Sequence, residues 1–183
     1  MKKFSKLLLG IILAQSTVIA TAQSYQVVDN ASSVKFVIQN FGMGTDGKFS
    51  GLQGSIKFNP ANSKAAFFTV SVDATTVNTE IDVRDSALQT AGYLDAKKFP
   101  LISFTSKQIT TTEKTDVFIV KGTFTIKGIS KDISFPFRVI YKDDGILLAG
   151  ECKINRRDFT IGEGSLVLSD NIRISLSVFA KKI

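Results

Sequence analysis

The chain of 183 residues has no histidine, no tryptophan, one cysteine, three prolines and two methionines. Without histidine there is no Ser/His/Asp or Cys/His constellation for nucleophilic catalysis, and the usual imidazole ligands of zinc, copper and non-haem iron are missing. A single cysteine, Cys152, excludes an internal disulfide, so stability must come from a packed core. Cys152 runs in phase with Ile146, Leu148 and Ile154, which predicts a small buried hydrophobe and not a reactive thiol. Carboxylates alone can hold a hard cation, yet no stretch has the dense oxygen-ligand spacing of a calcium loop, and Asp143-Asp144-Gly145 reads as a hairpin turn. Nor does any glycine loop lead into Lys and Ser or Thr to cradle a phosphate. We therefore expect no catalytic residue and no metal ligand, and the chain does not read as an enzyme.

A long hydrophobic run is also missing. Lys2, Lys3 and Lys6 precede an apolar stretch from Leu7 to Ala14, and the small-residue site Ala20-Thr21-Ala22 follows. The stretch is shorter than the ~20 residues of a spanning helix and is interrupted by Gln15, Ser16 and Thr17. This pattern predicts a secretory signal peptide over residues 1–22, cleavage near Ala22, and a mature domain of residues 23–183 that is periplasmic or otherwise extracytoplasmic. No cysteine follows the apolar run to accept a lipid. Loss of three lysines leaves 20 cationic side chains against 16 acidic ones, a balance of +4 instead of +7. That balance is too modest to imply nucleic acid, and the charges are interspersed as on a solvated surface. The lysines and arginines allow no more than a transient contact with a membrane surface.

What the mature chain does have is alternation, in about eight runs separated by turn residues. Val34, Phe36 and Ile38 alternate with polar residues in the first. The second runs from Lys48 to Phe58 with Gly54, Ile56 and Phe58 in phase, and the third, from Ala65 to Asp73, carries Phe68, Val70 and Val72. After Pro100 come Ile102 and Phe104, then Phe118, Val120, Phe124 and Ile126, a tight turn at Lys127-Gly128, and Ile133, Phe135, Phe137 and Val139. Ile146, Leu148 and Ile154 form the seventh run, and Ile172, Ile174, Leu176 and Val178 the eighth. Pro136 cannot donate to a ladder and predicts an edge or a bulge within the sixth run.

The segment from Asn78 to Phe104 breaks this period. Thr79 followed by Glu80 and Asp82 reads as an N-terminal cap with an acidic first turn, and Ile81, Leu88 and Ala91 can share a buried stripe, so one helix is expected near residues 79–92. Arg84-Asp85 and the Arg156-Arg157-Asp158 run are read as braces that fix helix and loop, and Tyr93, Phe99 and Phe159 as packing residues. The fold expected is an all-β, eight-stranded antiparallel barrel with that one helix inserted. Closure removes unpaired edges, and polar outward faces exclude an outer-membrane barrel.

The inward set is rich in phenylalanine. Phe36, Ile38, Ile56, Phe58, Phe68, Val70, Ile102, Phe104, Phe118, Val120, Phe124, Phe135, Phe137, Leu148, Ile174 and Leu176 are the candidate ligand-binding positions. Two readings stay open on periodicity alone. The rings either pack into a solid core, which is what apolar strand faces usually do, or line a tunnel for a long hydrophobic ligand.

Ordered motifs add a resemblance. Ser33-Val34-Lys35-Phe36, Lys48-Phe49-Ser50-Gly51, the run Val72-Asp73-Ala74-Thr75-Thr76-Val77-Asn78-Thr79, Arg84-Asp85, Leu88, Tyr93-Leu94-Asp95, Lys98-Phe99-Pro100 and Ile102-Ser103-Phe104 occur in that order. Gly122-Thr123-Phe124-Thr125-Ile126-Lys127-Gly128 and Asn155-Arg156-Arg157-Asp158-Phe159 complete the set. Together they resemble the YceI-like family of exported, lipocalin-like, polyisoprenoid-binding proteins. The resemblance implies an extended barrel that holds an isoprenoid-type lipid, either an isoprenoid quinone or a polyprenyl chain, non-covalently and without catalysis or another cofactor. By family analogy it also implies a homodimer. Many relatives show histidine where this chain has Ser32, Gln39 and Ala87, and glycine where it has Thr160, so no imidazole role carries over. The alternative is a structural or stress-related interaction module with a filled core.

Overall fold

Alternation becomes ten strands and one α-helix in the computed structural model, which describes residues 22–183. The strands are β1 (Gln23–Val27), β2 (Ser33–Asn40), β3 (Met43–Phe49), β4 (Gln53–Phe58), β5 (Phe67–Asp73), β6 (Leu101–Thr111), β7 (Val117–Ile126), β8 (Ile129–Lys142), β9 (Gly145–Asn155) and β10 (Leu168–Lys182). The helix, α1, spans Asp82–Leu88 between β5 and β6. The expected signal segment, up to Thr21, lies outside the described residues.

All strands pair antiparallel in one sheet of order β1-β4-β5-β6-β7-β8-β9-β10-β2-β3, and β1 also pairs with β10. Eight strands, β1 and β4 to β10, therefore close a ring, and the β2–β3 hairpin continues from the same edge of β10 that β1 uses. The long β10 is shared along its length: Leu168 to Ser177 face β2, while Ala180 to Lys182 face β1. This is the eight-stranded barrel with a helical insert that the periodicity predicts, with two differences of detail. The run from Lys48 to Phe58 is two strands, broken at Ser50-Gly51-Leu52 where Gly51 takes a φ of 71°. The ring is closed by β1 in place of β2.

Turn chemistry follows the sequence. Lys127 and Gly128, at φ values of 52° and 72°, link the directly opposed Ile126 and Ile129. Asp143-Asp144 link Lys142 and Gly145. Pro136 sits where the β8–β9 ladder ends, at the Phe137–Gly150 pair. Val139 N–H donates across to Asp116 on the β7 side, so by alternation the position of Pro136 turns toward β9, where no ladder partner needs its missing N–H.

Glycines inside strands make room for aromatic rings. A Cβ on Gly47 would lie 2.2 Å from the Phe36 ring, and one on Gly122 would lie 2.5 Å from Phe104. At the end of the barrel that carries Gln23 and Ile183, Phe58, Phe68, Phe118 and Phe137 pack with ring centroids between 5.1 and 6.3 Å apart. Most of these contacts are edge-to-face, the arrangement aromatic quadrupoles favour. They make a solid floor.

Candidate ligand-binding cavity

Above the floor the barrel is hollow. The space not filled by protein atoms is about 1050 Å³, its open mouth included. A smaller space of about 460 Å³ lies toward the floor and shares Val70, Phe104, Phe135, Leu176 and Val178 with the first. Of the residues predicted to face inward, Phe36, Val70, Ile102, Phe104, Phe124, Phe135, Ile174 and Leu176 line the larger cavity. Ile56, Phe68, Val120, Phe137 and Leu148 line the smaller one.

Ile38, Phe58 and Phe118 line neither space. Phe58 and Phe118 have the right phase but sit at 1 % and 2 % exposure within the floor, with ring centroids 5.1 Å apart. Ile38 lies between Thr45 and Ile172 in the outer half of the β2–β3 hairpin, beyond the ring. Periodicity gives the face of a strand and not the depth at which the barrel fills.

The larger cavity also takes residues that alternation does not single out. Val77, Leu88 and Leu94 come from the helical insert and Ile161 from the late loop. Leu88 is the one member of the expected Ile81–Leu88–Ala91 stripe that faces the barrel. Ile81 is 51 % exposed and Ala91 is exposed as well. The helix is only seven residues long, and Ile81 precedes it as a cap with no side-chain hydrogen bond, while Ala91 lies in the turns beyond it. A stripe of three therefore has no helix to run along.

Thr79 is the pivot of the insert and not its cap. Its hydroxyl accepts from Arg84 Nε at 2.7 Å and donates to the Asp85 carboxylate, which also accepts the Thr79 N–H at 2.8 Å. Arg84 Nη2 donates to the Thr79 carbonyl at 2.7 Å. Arg84 and Asp85 thus grip one buried threonine, the bracing role their spacing suggests. Lys48 and Asn78 exchange backbone hydrogen bonds of 2.9 and 3.0 Å, which join the insert to the edge of β3.

The late loop is held from within. Arg156 is 1 % exposed and donates to the carbonyls of Ser169, Ile161 and Glu163 at 3.0, 2.8 and 2.8 Å, with an ion pair to Asp170 at 2.9 Å. Its planar fork suits several carbonyls at once. Phe159 stands edge-on to Phe124 at 5.9 Å, and Gly162 N–H reaches the Gly92 carbonyl at 2.8 Å, so loop and insert support each other above the cavity. Thr160 takes a φ of 52° at the end of the short helical turn Arg156–Phe159, a left-handed position that glycine occupies without cost.

The lining is apolar apart from Lys35 and Ser71, with the Cys152 thiol among it. Burial, then the Glu151 charge, pushes that thiol up to about 11. Among the described residues every buried side-chain nitrogen and oxygen has a hydrogen-bond partner, and no group of three or more His, Cys, Asp or Glu side chains is placed to hold a metal ion. Such a chamber offers burial to an apolar chain and almost no hydrogen bonds to a polar group.

The sequence profile of the YceI-like domain matches residues 25–180. The chain belongs to the YceI-like family. Protein YceI of Salmonella arizonae is 29 % identical over 185 residues, covering 94 % of this chain and 96 % of that protein. Among solved structures, BcnA of Burkholderia cenocepacia superposes with a TM-score of 0.81 at 23 % identity, over 85 % of this chain and 99 % of its own. A polyisoprenoid binding domain from Saccharophagus degradans, implicated in plant cell wall breakdown, gives 0.71 at 16 % identity over 88 % of this chain and 99 % of its own. The Campylobacter jejuni YceI protein gives 0.69 at 24 % identity over 100 % and 99 %. These three share the barrel of this YceI-like chain. No helix among its described residues is long and apolar enough to cross a membrane.

Proposed function

We propose that the mature YceI-like domain binds one isoprenoid-type lipid tail, from an isoprenoid quinone or a polyprenyl chain, in the apolar chamber and carries or sequesters it outside the cytoplasm without chemical turnover. The observation that carries this reading is the chamber itself: an apolar space above a solid floor, about 1050 Å³ with the solvent at its open mouth included, with only Lys35 and Ser71 to offer charge or a hydroxyl. Burying about 400 Å² of apolar chain there would contribute on the order of 10 kcal/mol before ordering costs. A tail without hydrogen-bonding groups suits a wall without them. The likeness to a solved polyisoprenoid binding domain supports the same ligand class. Export rests on the basic, apolar and small-residue pattern of residues 1–22, and β1 begins at Gln23, next to the proposed cleavage site.

Lipid extraction and mass spectrometry of protein purified from its native compartment should recover a stoichiometric isoprenoid lipid, and N-terminal sequencing should read Gln23 first. Repeated recovery of empty protein that also takes up neither quinone nor polyprenol from solution would sink the lipid-binding reading. Replacing Ile133, a half-buried wall residue of the larger cavity, by Trp should lower uptake at least tenfold while leaving the fold intact by circular dichroism.

A further inference from the structure

The β2–β3 hairpin turns through Phe41-Gly42, with φ values of 50° and 76°, between the directly opposed Asn40 and Met43. Positive φ at both central positions is the sign pattern of a type I′ turn, which favours Asn or Asp followed by Gly. A phenylalanine at the first position is held in a conformation that costs stability, and it gains no burial in return, since Phe41 is 72 % exposed. Met43 beside it is 71 % exposed. The late loop comes to the same place: Phe41 N–H donates to the Val167 carbonyl at 2.9 Å, Val167 is 40 % exposed, and Leu166 is fully exposed. Two neighbouring loops thus present four bulky apolar side chains at one corner, and the elements that carry them also line the cavity through Phe36, Phe49 and Ile161.

We propose that this corner is a membrane-docking tip that seats the protein on a lipid surface beside the cavity. Four side chains are far fewer than the roughly 20–30 residues per side of a stable protein interface, but they suffice for shallow insertion into the acyl boundary. The backbone is fit for that environment, because the tight turn closes its own ladder, the Phe41 N–H is bonded, and Ser165 Oγ accepts the N–H groups of Val167 and Leu168 at 3.2 and 3.0 Å. Exposed Gln39, Asp46 and Glu163 stand behind the tip as a polar collar. The charged residues within four positions of the tip, Asp46, Glu163 and the Arg156-paired Asp170, are acidic, and the basic Lys35, Lys48 and Arg157 lie farther back on the same elements, so docking is apolar in origin and does not depend on anionic lipid.

The purpose assigned to the tip rests on the lipid-binding reading of the cavity, and the test separates the two. Wild-type protein should co-float with vesicles of phosphatidylethanolamine and phosphatidylcholine, and added salt should not release it. Phe41→Asn places a favoured residue in the turn, so its melting temperature should hold or rise while vesicle binding falls about tenfold, and adding Leu166→Ser should abolish binding. Uptake of a short-chain isoprenoid quinone from solution should stay within about twofold of wild type for both variants, because neither position lines the cavity. Wild-type protein that fails to float, or variants that float as wild type does, would overturn the docking tip. A wild-type dimer that Phe41→Asn dissociates would make the corner a seam between two copies and would also overturn it. Flotation without quinone uptake by any form would sustain the tip and remove the lipid-binding reading.

Discussion

Arg156 is buried with its charge fully engaged, and Cys152 sits half-buried in the apolar wall without any. Every direction in which the Arg156 guanidinium points meets a carbonyl or Asp170, so its charge is compensated where it lies. Cys152 has only the apolar wall, and burial holds its thiol protonated up to about 11 against an ordinary value near 9. Between these values the unfolded chain releases a proton that the folded chain keeps, so stability falls as pH rises through the window, by on the order of 2 kcal/mol at its upper end. Urea unfolding of wild type and Cys152→Ala from pH 8 to 11 should show the wild-type slope flattened in the variant. The raised Tyr25 and Tyr141 hydroxyls, also shifted by burial, leave the same residual slope at the alkaline end in both proteins. Parallel slopes would show that Cys152 contributes nothing.

Elements divide the barrel into a floor and a chamber. The floor depends on Phe58, which touches Phe68, Phe118 and Phe137 at once. Phe58→Ala should cost about 3–5 kcal/mol in urea unfolding and deepen the chamber. Phe58→Leu should lose less stability and bind a longer quinone tail better than wild type; a variant with unchanged preference for tail length would show that the floor does not limit the ligand. The strands themselves were legible because Phe104, Phe124, Phe135 and their neighbours keep strict period two on a half-buried sheet. β3 was not, because its core position opposite Phe36 is Gly47, whose missing side chain is what the ring needs. β1 offers only Tyr25 and Val27 to the core, too few to register as a run. Within the insert, Val77 and Leu94 reach the cavity from irregular backbone, where no period exists to find them. Depth was illegible for a related reason, since floor and chamber residues have the same phase and differ only in what lies across the barrel.

At the scale of the whole molecule, the barrel is sealed by five residues. β1 lies between β4 and the end of β10, and Ile183 N–H returns to the Ser24 carbonyl at 3.1 Å. Removing Gln23–Val27 would expose the β4 and β10 edges together with Ile56 and Ala180, which are among the most buried residues of the core. Such a truncated chain should lose cooperative urea unfolding and associate through its edges, as read by sedimentation. A monomer with the wild-type unfolding midpoint would show that β1 is dispensable. The pairing of β1 with β10 also sets an order in time. For a chain delivered N-terminus first, β1 comes before the other strands of the ring and β10 after them, so the ring stays open until β10 arrives. Contacts between the two ends are the slowest kind for a chain to find, which makes closure the expected late step of folding.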